Sequence, residues 1–405
     1  MNASLPSKGD LASEIAAARW YGGKGAPITG VEEDDRLELE PGIALHVLRI
    51  ERGDAPVERY LYLSGEERVG QAVLDAIVRG ARHGDWSFEP GVTLPGLLPG
   101  DRSERPIGHD QSNTSIVLGE RLVLKLYRRL ERGAHPDIEI GRYLTEQASI
   151  AFVPAYAGCV RWQGHAIAML QSYVCGAEEG WQWAGEAVIA GQTADFERLG
   201  ANTATLHRAL AGLASRTAGP AELAEWRHSA ELQLERVLRL VDGDVGEELA
   251  GFAPRLREEF ASLERPAEPP VLSRVHGDYH VGQVLRSGDG SLRVVDFEGE
   301  PTKSLDERIR LGTPLRDVAA MLRSFDHLAR HVDRDLHPGH LREIEGWIDD
   351  ARSRFLHAYG PHDPVLLRAL EVEKETYEFV YAATFLPDWM YAAVGGMRWL
   401  MGMRT

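Results

Sequence analysis

Apolar and polar positions alternate between residues 36 and 64. "RLELE", "IALHVLRI" and "VERYLYLS" read as strands, and the intervening "PG" and "RGDAP" are turn signals. "VGQAVLDAIVRGARHG" then switches to helical spacing. The Pro- and Gly-rich "EPGVTLPGLLPGDRSERPIG" predicts a loop or boundary over 89–108. In "QSNTSIVLGERLVLKLYRRL" two short β runs flank Gly119-Glu120, which predicts a hairpin. "HPDIEIGRYLTEQ" follows with helical spacing, and "AIAMLQSYVCG" reads as a buried strand. From about residue 193 the chain turns to long helices, among them "ADFERLGANTATLHRALAGLA", "AELAEWRHSAELQLERVLRLV", "LREIEGWIDDARSRFLHAYG" and "VLLRALEVEKETYEFVYAATF". The pattern predicts an α+β protein: a β-rich unit over 1–88, a sheet-and-helix part over 89–175, and a mainly helical part over 176–405.

Composition narrows the class. The chain has 405 residues, 43% apolar and 26% charged, which is ordinary globular composition for two or three domains. It holds no run of 18 apolar residues, so no membrane span is expected. "MNASLPSKGDLASEI" lacks the basic segment and apolar core of a signal peptide. Two cysteines, Cys159 and Cys175, cannot build a disulfide framework. The expected location is the cytoplasm. A net charge of −17 argues against general nucleic-acid binding, which needs a basic footprint. It leaves room for a small phosphorylated ligand held by local cations and a metal, and mildly favours a neutral or cationic small-molecule partner.

The candidate chemistry sits in "VHGDYHVGQVLRSGDGSLRVVDFEGE", residues 275–300, which packs His276, Asp278, His280, Gln283, Asp296 and Glu298 together. A metal-bound hydrolytic site and a phosphate-transfer site both use such groups. Spacing favours the second. Asp278 and Gln283 are five residues apart, and Asp278 and Asp296 eighteen. "VGQVLR" and "SLRVV" flank the turn "SGDG", so a hairpin brings both carboxylates to one cavity. Phosphoryl transfer needs one carboxylate to orient the attacking hydroxyl, and a second carboxylate with an amide oxygen to hold magnesium. Gly277 and the strand context do not suit a helical zinc motif.

"HGDYHVGQ" and "DFE" resemble the catalytic loop and strand-end Asp-Phe-Gly of protein kinases, in the His-Gly-Asp form of aminoglycoside and small-molecule kinases. The resemblance extends upstream. It implies that Lys125 in "LVLKLYRRL" contacts the nucleotide phosphates, that Glu139 on the following helix is its ion-pair partner, and that Gln171, Tyr173 and Val174 in "LQSYV" form the adenine-facing hinge. It also implies that Asp317 in "LRDV", with His276, braces the catalytic loop.

A narrower resemblance rests on "ARWYGGKG", "QSNTSIV", "AMLQSYV", "HGDYHVGQVLR", "DFEGEP" and "PLRDVAAMLRSFD". These look like the bacterial maltokinase-like sugar kinases, across nearly the whole chain. The implied fold is bilobal and protein-kinase-like, with an N-terminal β-rich cap subdomain and a mainly helical C-terminal lobe. The implied cofactors are ATP and Mg²⁺. Carried over, Asp278 is the catalytic base and Gln283 and Asp296 are the metal ligands. Ser112, Asn113, Thr114 and Ser115 form a phosphate-covering loop that lacks the kinase glycines.

Maltokinases are usually somewhat longer and continue past "PDWL" with a Pro-rich stretch, whereas this chain reads "PDWMYAAVGGMRWLMGMRT". The chain is therefore more similar to the actinobacterial glucosamine kinase branch, which implies phosphorylation of glucosamine at O6. Maltose, phosphorylated at its anomeric hydroxyl, is the runner-up, and an aminoglycoside is a third acceptor class. Carboxylates would favour an ammonium-bearing sugar. Candidates are Glu298, the acidic helix "EVEKETYEF" with Glu375, and Asp388. Trp389, Tyr391 and Trp399 are aromatic candidates for stacking, though such residues are more often core. His280 is open between sugar contact and loop packing, and Glu298 between metal and sugar. "GGKG" with Lys24 lacks the spacing of a Walker loop. The expected partners are ATP and a small sugar (glucosamine, maltose or glucose), with no nucleic acid and no membrane, on a monomer or weak dimer.

Overall fold

The computed structural model describes residues 5–23, 27–108, 113–336 and 338–403. Two compact units emerge. The first comprises residues 1–176 with Ser304–Ile309, and the second 177–303 with 310–405.

In the first unit the order is α1 (Lys8–Ala17), β1 (Gly30–Glu40), β2 (Ile43–Glu51), β3 (Glu58–Ser64), α2 (Val69–Val78), β4 (Arg82–His83), β5 (Trp86–Pro90), α3 (Leu94–Leu97), β6 (Glu104–Pro106), β7 (Asn113–Leu118), β8 (Leu122–Tyr127), β9 (Arg129–Leu130), α4 (Pro136–Glu146), β10 (Tyr156–Trp162) and β11 (His165–Ser172). One sheet runs β1-β2-β3-β9 and a second β4-β5-β10-β11-β8-β7-β6.

Strand β2 shows why the pattern works. Its successive side chains point to opposite faces. Leu48 and Ile50 join Leu11 and Ile15 of α1 in one core, while Leu45 and Val47 join Val73 and Ile77 of α2 in another. Strand β1, at the edge of its sheet, carries Glu32, Glu33, Asp34 and Asp35, charges that discourage further strand pairing.

Two expectations need adjusting. Position 88 falls inside β5, and the core under β2 continues without a break into Leu118, Leu122 and Leu124 of β7 and β8. The stretch 89–108, expected as a loop, contains α3 and β6, and β6 pairs with β7. The predicted hairpin is present: β7 pairs antiparallel to β8 around Gly119 and Glu120, both at positive φ.

The second unit holds α5 (Gly180–Ile189), α6 (Ala194–Leu213), β12 (Ser215–Thr217), α7 (Pro220–Leu240), α8 (Gly243–Leu263), β13 (Val271–Ser273), β14 (Val284–Arg286) and β15 (Leu292–Val294). Helix α9 (Leu305–Arg308) belongs to the first unit. The second resumes with α10 (Leu315–His331), α11 (Leu341–Tyr359), α12 (Pro364–Phe385) and α13 (Met390–Leu400). Helix α10 is buried on nearly every side, and Asp317, Arg323, Asp326, His327 and Arg330 are among its buried residues. Buried charges of that kind require partners, and these have them. Among the described residues no helix is long and apolar enough to cross a membrane.

Candidate active site

The loop expected to carry the catalytic aspartate follows β13. Gly277 sits at φ +83°, and a side chain there would lie 3.3 Å from the Cα of Gly299, so the loop and the stretch after Asp296 approach through two glycines. Asp317, in the first turn of α10, fixes this loop. Its Oδ2 accepts from the backbone N–H of His276 at 2.8 Å and its Oδ1 from that of Gly277 at 3.0 Å. His207 Nε2 lies 3.2 Å from Oδ2. Burial alone would raise the Asp317 carboxyl, but the His207 hydrogen bond and the nearby imidazoles and N–H outweigh it and hold the carboxyl below its ordinary value. The His276 Nε2 lies 2.9 Å from the Val295 carbonyl, and its ring packs on Tyr279 and Phe297. Asp317 and His276 thus each tie this loop to a neighbouring segment by direct hydrogen bonds.

His280 Nδ1 accepts from the Gly282 N–H at 3.1 Å, so the neutral ring carries its proton on Nε2, which lies 3.9 Å from Asp278 Oδ2. Burial lowers the pKa of this imidazole.

Gln283 closes a short 3-10 turn, Val281–Gln283, before β14, and Asp296 follows β15. The two strands pair antiparallel from Val284–Val294 to Arg286–Leu292, and Val295 N–H reaches the Gln283 carbonyl at 3.0 Å. The hairpin brings the Gln283 amide to 3.4 Å from Asp296 Oδ2. Asp296 occupies the left-handed region at φ +66°, a conformation that non-glycine residues adopt at a cost of about 1–3 kcal/mol and that clusters at functional sites.

A cavity of about 370 Å³ opens beside the loop, walled entirely by the second unit. Asp278 and His280 form one side, α12 contributes Lys374, Tyr377 and Glu378, and Glu300 stands nearby. Lys374 Nζ lies 2.8 Å from Glu378 Oε1 and 4.7 Å over the Tyr377 ring. Burial works against both charges, but each partner outweighs it, raising the lysine and lowering the glutamate. Burial would also raise Glu300; Lys303 at 2.9 Å and hydrogen bonds from Tyr377 and Thr302 hold its carboxyl at about 2. The floor is Arg323 and His327 of α10.

Sequence reasoning and geometry differ here in instructive ways. Trp389 lines the cavity, edge-on to Trp181 and stacked on His331. Glu375 does not line it: fully buried behind the wall, it bonds His327 at 3.0 Å and pairs with Arg323 at 3.4 Å. Glu298 is likewise not part of the wall; Glu300, two residues on, takes that place. Tyr391 faces a different cavity, and Trp399 lies under the guanidiniums of Arg323 and Arg352. The acidic stretch "EVEKETYEF" includes Glu378, but Lys374, Tyr377 and Tyr381 are not singled out by the sequence reading. Their spacing along α12 was the available signal.

In the first unit, Lys125 on β8 pairs with Ser115 on β7 in register. Its Nζ lies 3.2 Å from Asp137 Oδ2, which also accepts from the Tyr127 hydroxyl at 3.1 Å. Asp137 shares the first turn of α4 with Glu139, the residue that the sequence reading named. Asn113 begins β7, and Thr114 Oγ1 accepts from Arg128 Nε at 2.8 Å. Ser112 and Lys24 lie outside the described residues. At the hinge, Gln171 pairs with Val123, and the Tyr173 N–H is already taken by the Arg121 carbonyl. The Tyr173 hydroxyl accepts from Arg105 at 3.1 Å, and Val174 follows β11 outside any strand, before the turn at Gly176.

Comparison with known proteins agrees with this geometry. The family model described as "Phosphotransferase enzyme family" matches residues 103–370. A glucosamine kinase of Streptacidiphilus jiangxiensis is 33% identical over 316 residues, covering 71% of this chain and 71% of the relative. Another from Mycolicibacterium smegmatis is 31% identical over 395 residues, covering 89% and 96%. A solved glucosamine kinase in complex with glucosamine, ADP and inorganic phosphate superposes with a TM-score of 0.77 at 27% identity, over 96% of this chain and 99% of that one. With a protein-kinase-like fold and a family match across well over half its length, the chain belongs to the phosphotransferase enzyme family.

Proposed function

We propose that the protein is an ATP-dependent glucosamine kinase that transfers the γ-phosphoryl group of ATP to O6 of D-glucosamine. The observation that carries this reading is a sugar-sized cavity with Asp278 in its wall and two further carboxylates, Glu300 and Glu378, each beside a lysine at 2.9 and 2.8 Å. The glucosamine kinases among its relatives support the choice of acceptor.

In this reading Asp278 accepts the proton of the O6 hydroxyl as O6 forms its bond to the γ-phosphorus and the bond to the leaving ADP breaks. His280 presents Nε2–H toward Asp278 and orients its carboxylate. Glu300 and Glu378 offer charge complementarity to the ammonium at C2. Lys125, held by Asp137, serves the nucleotide phosphates.

The Asp296 carboxylate and the Gln283 amide suit a hard divalent cation such as Mg²⁺, because a turn of the amide exposes its oxygen beside the carboxylate. When bound, the ion would neutralise charge on the phosphates. Asp296 and Gln283 would hold it, and Glu298 is a third candidate ligand. The two free cysteines, Cys159 buried and Cys175 exposed, suit a reducing cytoplasm.

The test is a panel of glucosamine, glucose, maltose and an aminoglycoside assayed with ATP for ADP release, with the product identified by phosphorus NMR. Glucosamine phosphorylated at O6 with the highest kcat/KM is expected. A preference for maltose or an aminoglycoside would overturn the acceptor assignment.

A further inference from the structure

Helix α13 separates two cavities. Ala392 and Ala393 face the acceptor cavity. The opposite side, with Tyr391, Val394 and Gly395, faces a second, open cavity of about 590 Å³ that the proposed reaction does not use. Three guanidiniums, Arg330, Arg334 and Arg398, and one carboxylate, Asp333, line this second cavity. Arg334 and Asp333 sit on a π-helical turn, Val332–Leu336, that extends α10; such turns are frequent at functional sites.

These charges are not equally committed. Arg398 is bidentate to Glu248, with both contacts at 2.7 Å. Asp333 accepts from the His340 N–H at 2.8 Å. Arg334 donates to the Asp388 carbonyl at 2.8 Å and lies 4.1 Å over the Tyr391 ring, with its side chain 49% exposed. Its nearest carboxylate, Asp335, is 3.6 Å away. Arg330 is more than nine-tenths buried and donates through Nε to Asp326 Oδ1 at 3.0 Å; its Nη2 lies 3.0 Å from that oxygen without an aligned hydrogen bond. A buried donor of this kind is usually satisfied by a water or an ion.

Asp326 links the two cavities. It is fully buried and shared by two arginines: Oδ1 goes to Arg330 in the second cavity, and Oδ2 lies 3.3 Å from Arg323 in the acceptor floor. Arg323 in turn pairs with Glu375, which holds His327. Two adjacent glycines make room for this chain of charges. A side-chain carbon at Gly395 would lie 2.6 Å from Arg330 Nη1, and one at Gly396 would lie 2.6 Å from Glu375 Oε1 and 2.8 Å from Asp326 Oδ2.

We infer that the second cavity binds a phosphate dianion, free or carried on a small phosphomonoester, and that Asp326 couples this site to the acceptor cavity. Guanidiniums favour phosphate through paired N–H donors, and the Tyr391 ring beneath Arg334 fixes its plane. A phosphate on Arg330 and Arg334 competes with Asp326 for the Arg330 charge. Asp326 then pairs more closely with Arg323, and the hold of Arg323 on Glu375 weakens. The effector therefore raises the acceptor KM. By linkage, the acceptor weakens effector binding by the same factor, about 5-fold or more for an ordinary allosteric coupling.

The proposal is tested on the full chain with a saturating non-hydrolysable ATP analogue, so that phosphate cannot occupy the nucleotide site. Calorimetric titration with inorganic phosphate, and separately with glucosamine 6-phosphate, measures binding with no reference to turnover, so the result stands whichever acceptor is correct. Wild type is expected to bind inorganic phosphate, and Arg334→Gln to lose about tenfold or more in affinity while keeping wild-type kcat and KM without effector. Binding of glucosamine 6-phosphate that also weakens in Arg334→Gln places the esterified ligand in this site. No phosphate binding, or equal binding by both proteins, overturns the site. In steady-state assays at saturating ATP, phosphate should raise the acceptor KM of wild type and not of Arg334→Gln. Phosphate binding that leaves the wild-type KM unchanged overturns the coupling through Asp326.

Discussion

Asp317→Asn changes one atom of a side chain that is 2% exposed. In wild type both oxygens accept hydrogen bonds, one from Gly277 and the other from His276, with His207 at 3.2 Å from the latter oxygen. Asparagine keeps one acceptor and turns an NH₂ toward the remaining donors. One hydrogen bond to a charged group is lost, at about 1.5–3 kcal/mol, and the stranded buried N–H costs about 1–3 kcal/mol more. The sum is roughly 2.5–6 kcal/mol. At about 2–4 °C per kcal/mol for a unit of this size, Tm falls by roughly 5–24 °C.

The loss depends on pH in a definite direction. The Asp317 carboxyl lies below its ordinary value in the folded protein, because its hydrogen bonds outweigh burial. Its contribution is therefore present above the ordinary carboxylate pKa and disappears as pH falls through the folded value. The gap between wild type and Asp317→Asn should be widest near neutrality and shrink on acidification. Scanning calorimetry across pH reads this gap, and kcat measured in parallel should fall with it, because the displaced loop carries Asp278. An unchanged Tm, or a gap that widens with acid, would refute the bracing argument.

Asp278→Asn should lower kcat by about 10²–10⁴-fold while Tm and ATP affinity stay near wild type, as measured by kinetics and calorimetry. Asp137→Ala should raise the KM for ATP more than that for the sugar, because Lys125 loses the carboxylate at 3.2 Å; steady-state kinetics separate the two. Glu378→Gln should reduce the preference for glucosamine over glucose by about tenfold, the effect of one charge-assisted hydrogen bond. Competition assays read this preference. Removing divalent metal with a chelator should abolish transfer, and Mg²⁺ should restore it to wild type but only weakly to Asp296→Ala.

The parts of the site legible in the sequence are the local ones. Asp278, Gln283 and Asp296 lie within one hairpin, so the interval between them nearly determines their meeting in space. Asp317 was legible because helix starts announce themselves and the loop it braces was already identified. Asp137 was not. Residues 137 and 139 point about 200° apart around a helix, and that Asp137 reaches Lys125 depends on where Pro136 starts α4 and how the helix rolls against the sheet. The cavity wall was harder still. Lys374, Glu378, His327 and Glu300 come from three distant segments whose pairing is set by packing among helices, and periodicity reports only which face is buried. That is also why Glu375 looked like an acceptor contact: an acidic helix shows where its carboxylates are along the chain, not which of them faces the cavity.

The short segment Ser304–Ile309 has a consequence for how the molecule is made. It belongs with the first unit: the Leu305 N–H reaches Glu131 at 3.3 Å, Arg308 pairs with the same carboxylate, and the Leu305 side chain packs over Gly133. No single cut of the backbone therefore yields both units intact, and a fragment ending at residue 176 would leave the Glu131 carboxylate without these partners. On the ribosome the N-terminal unit cannot complete its own contacts until residue 309 has emerged, by which time the hairpin of β14 and β15 has already been synthesised. Domains generally fold as units during synthesis. Here the first unit must wait for a stretch of chain that arrives after the loop carrying Asp278.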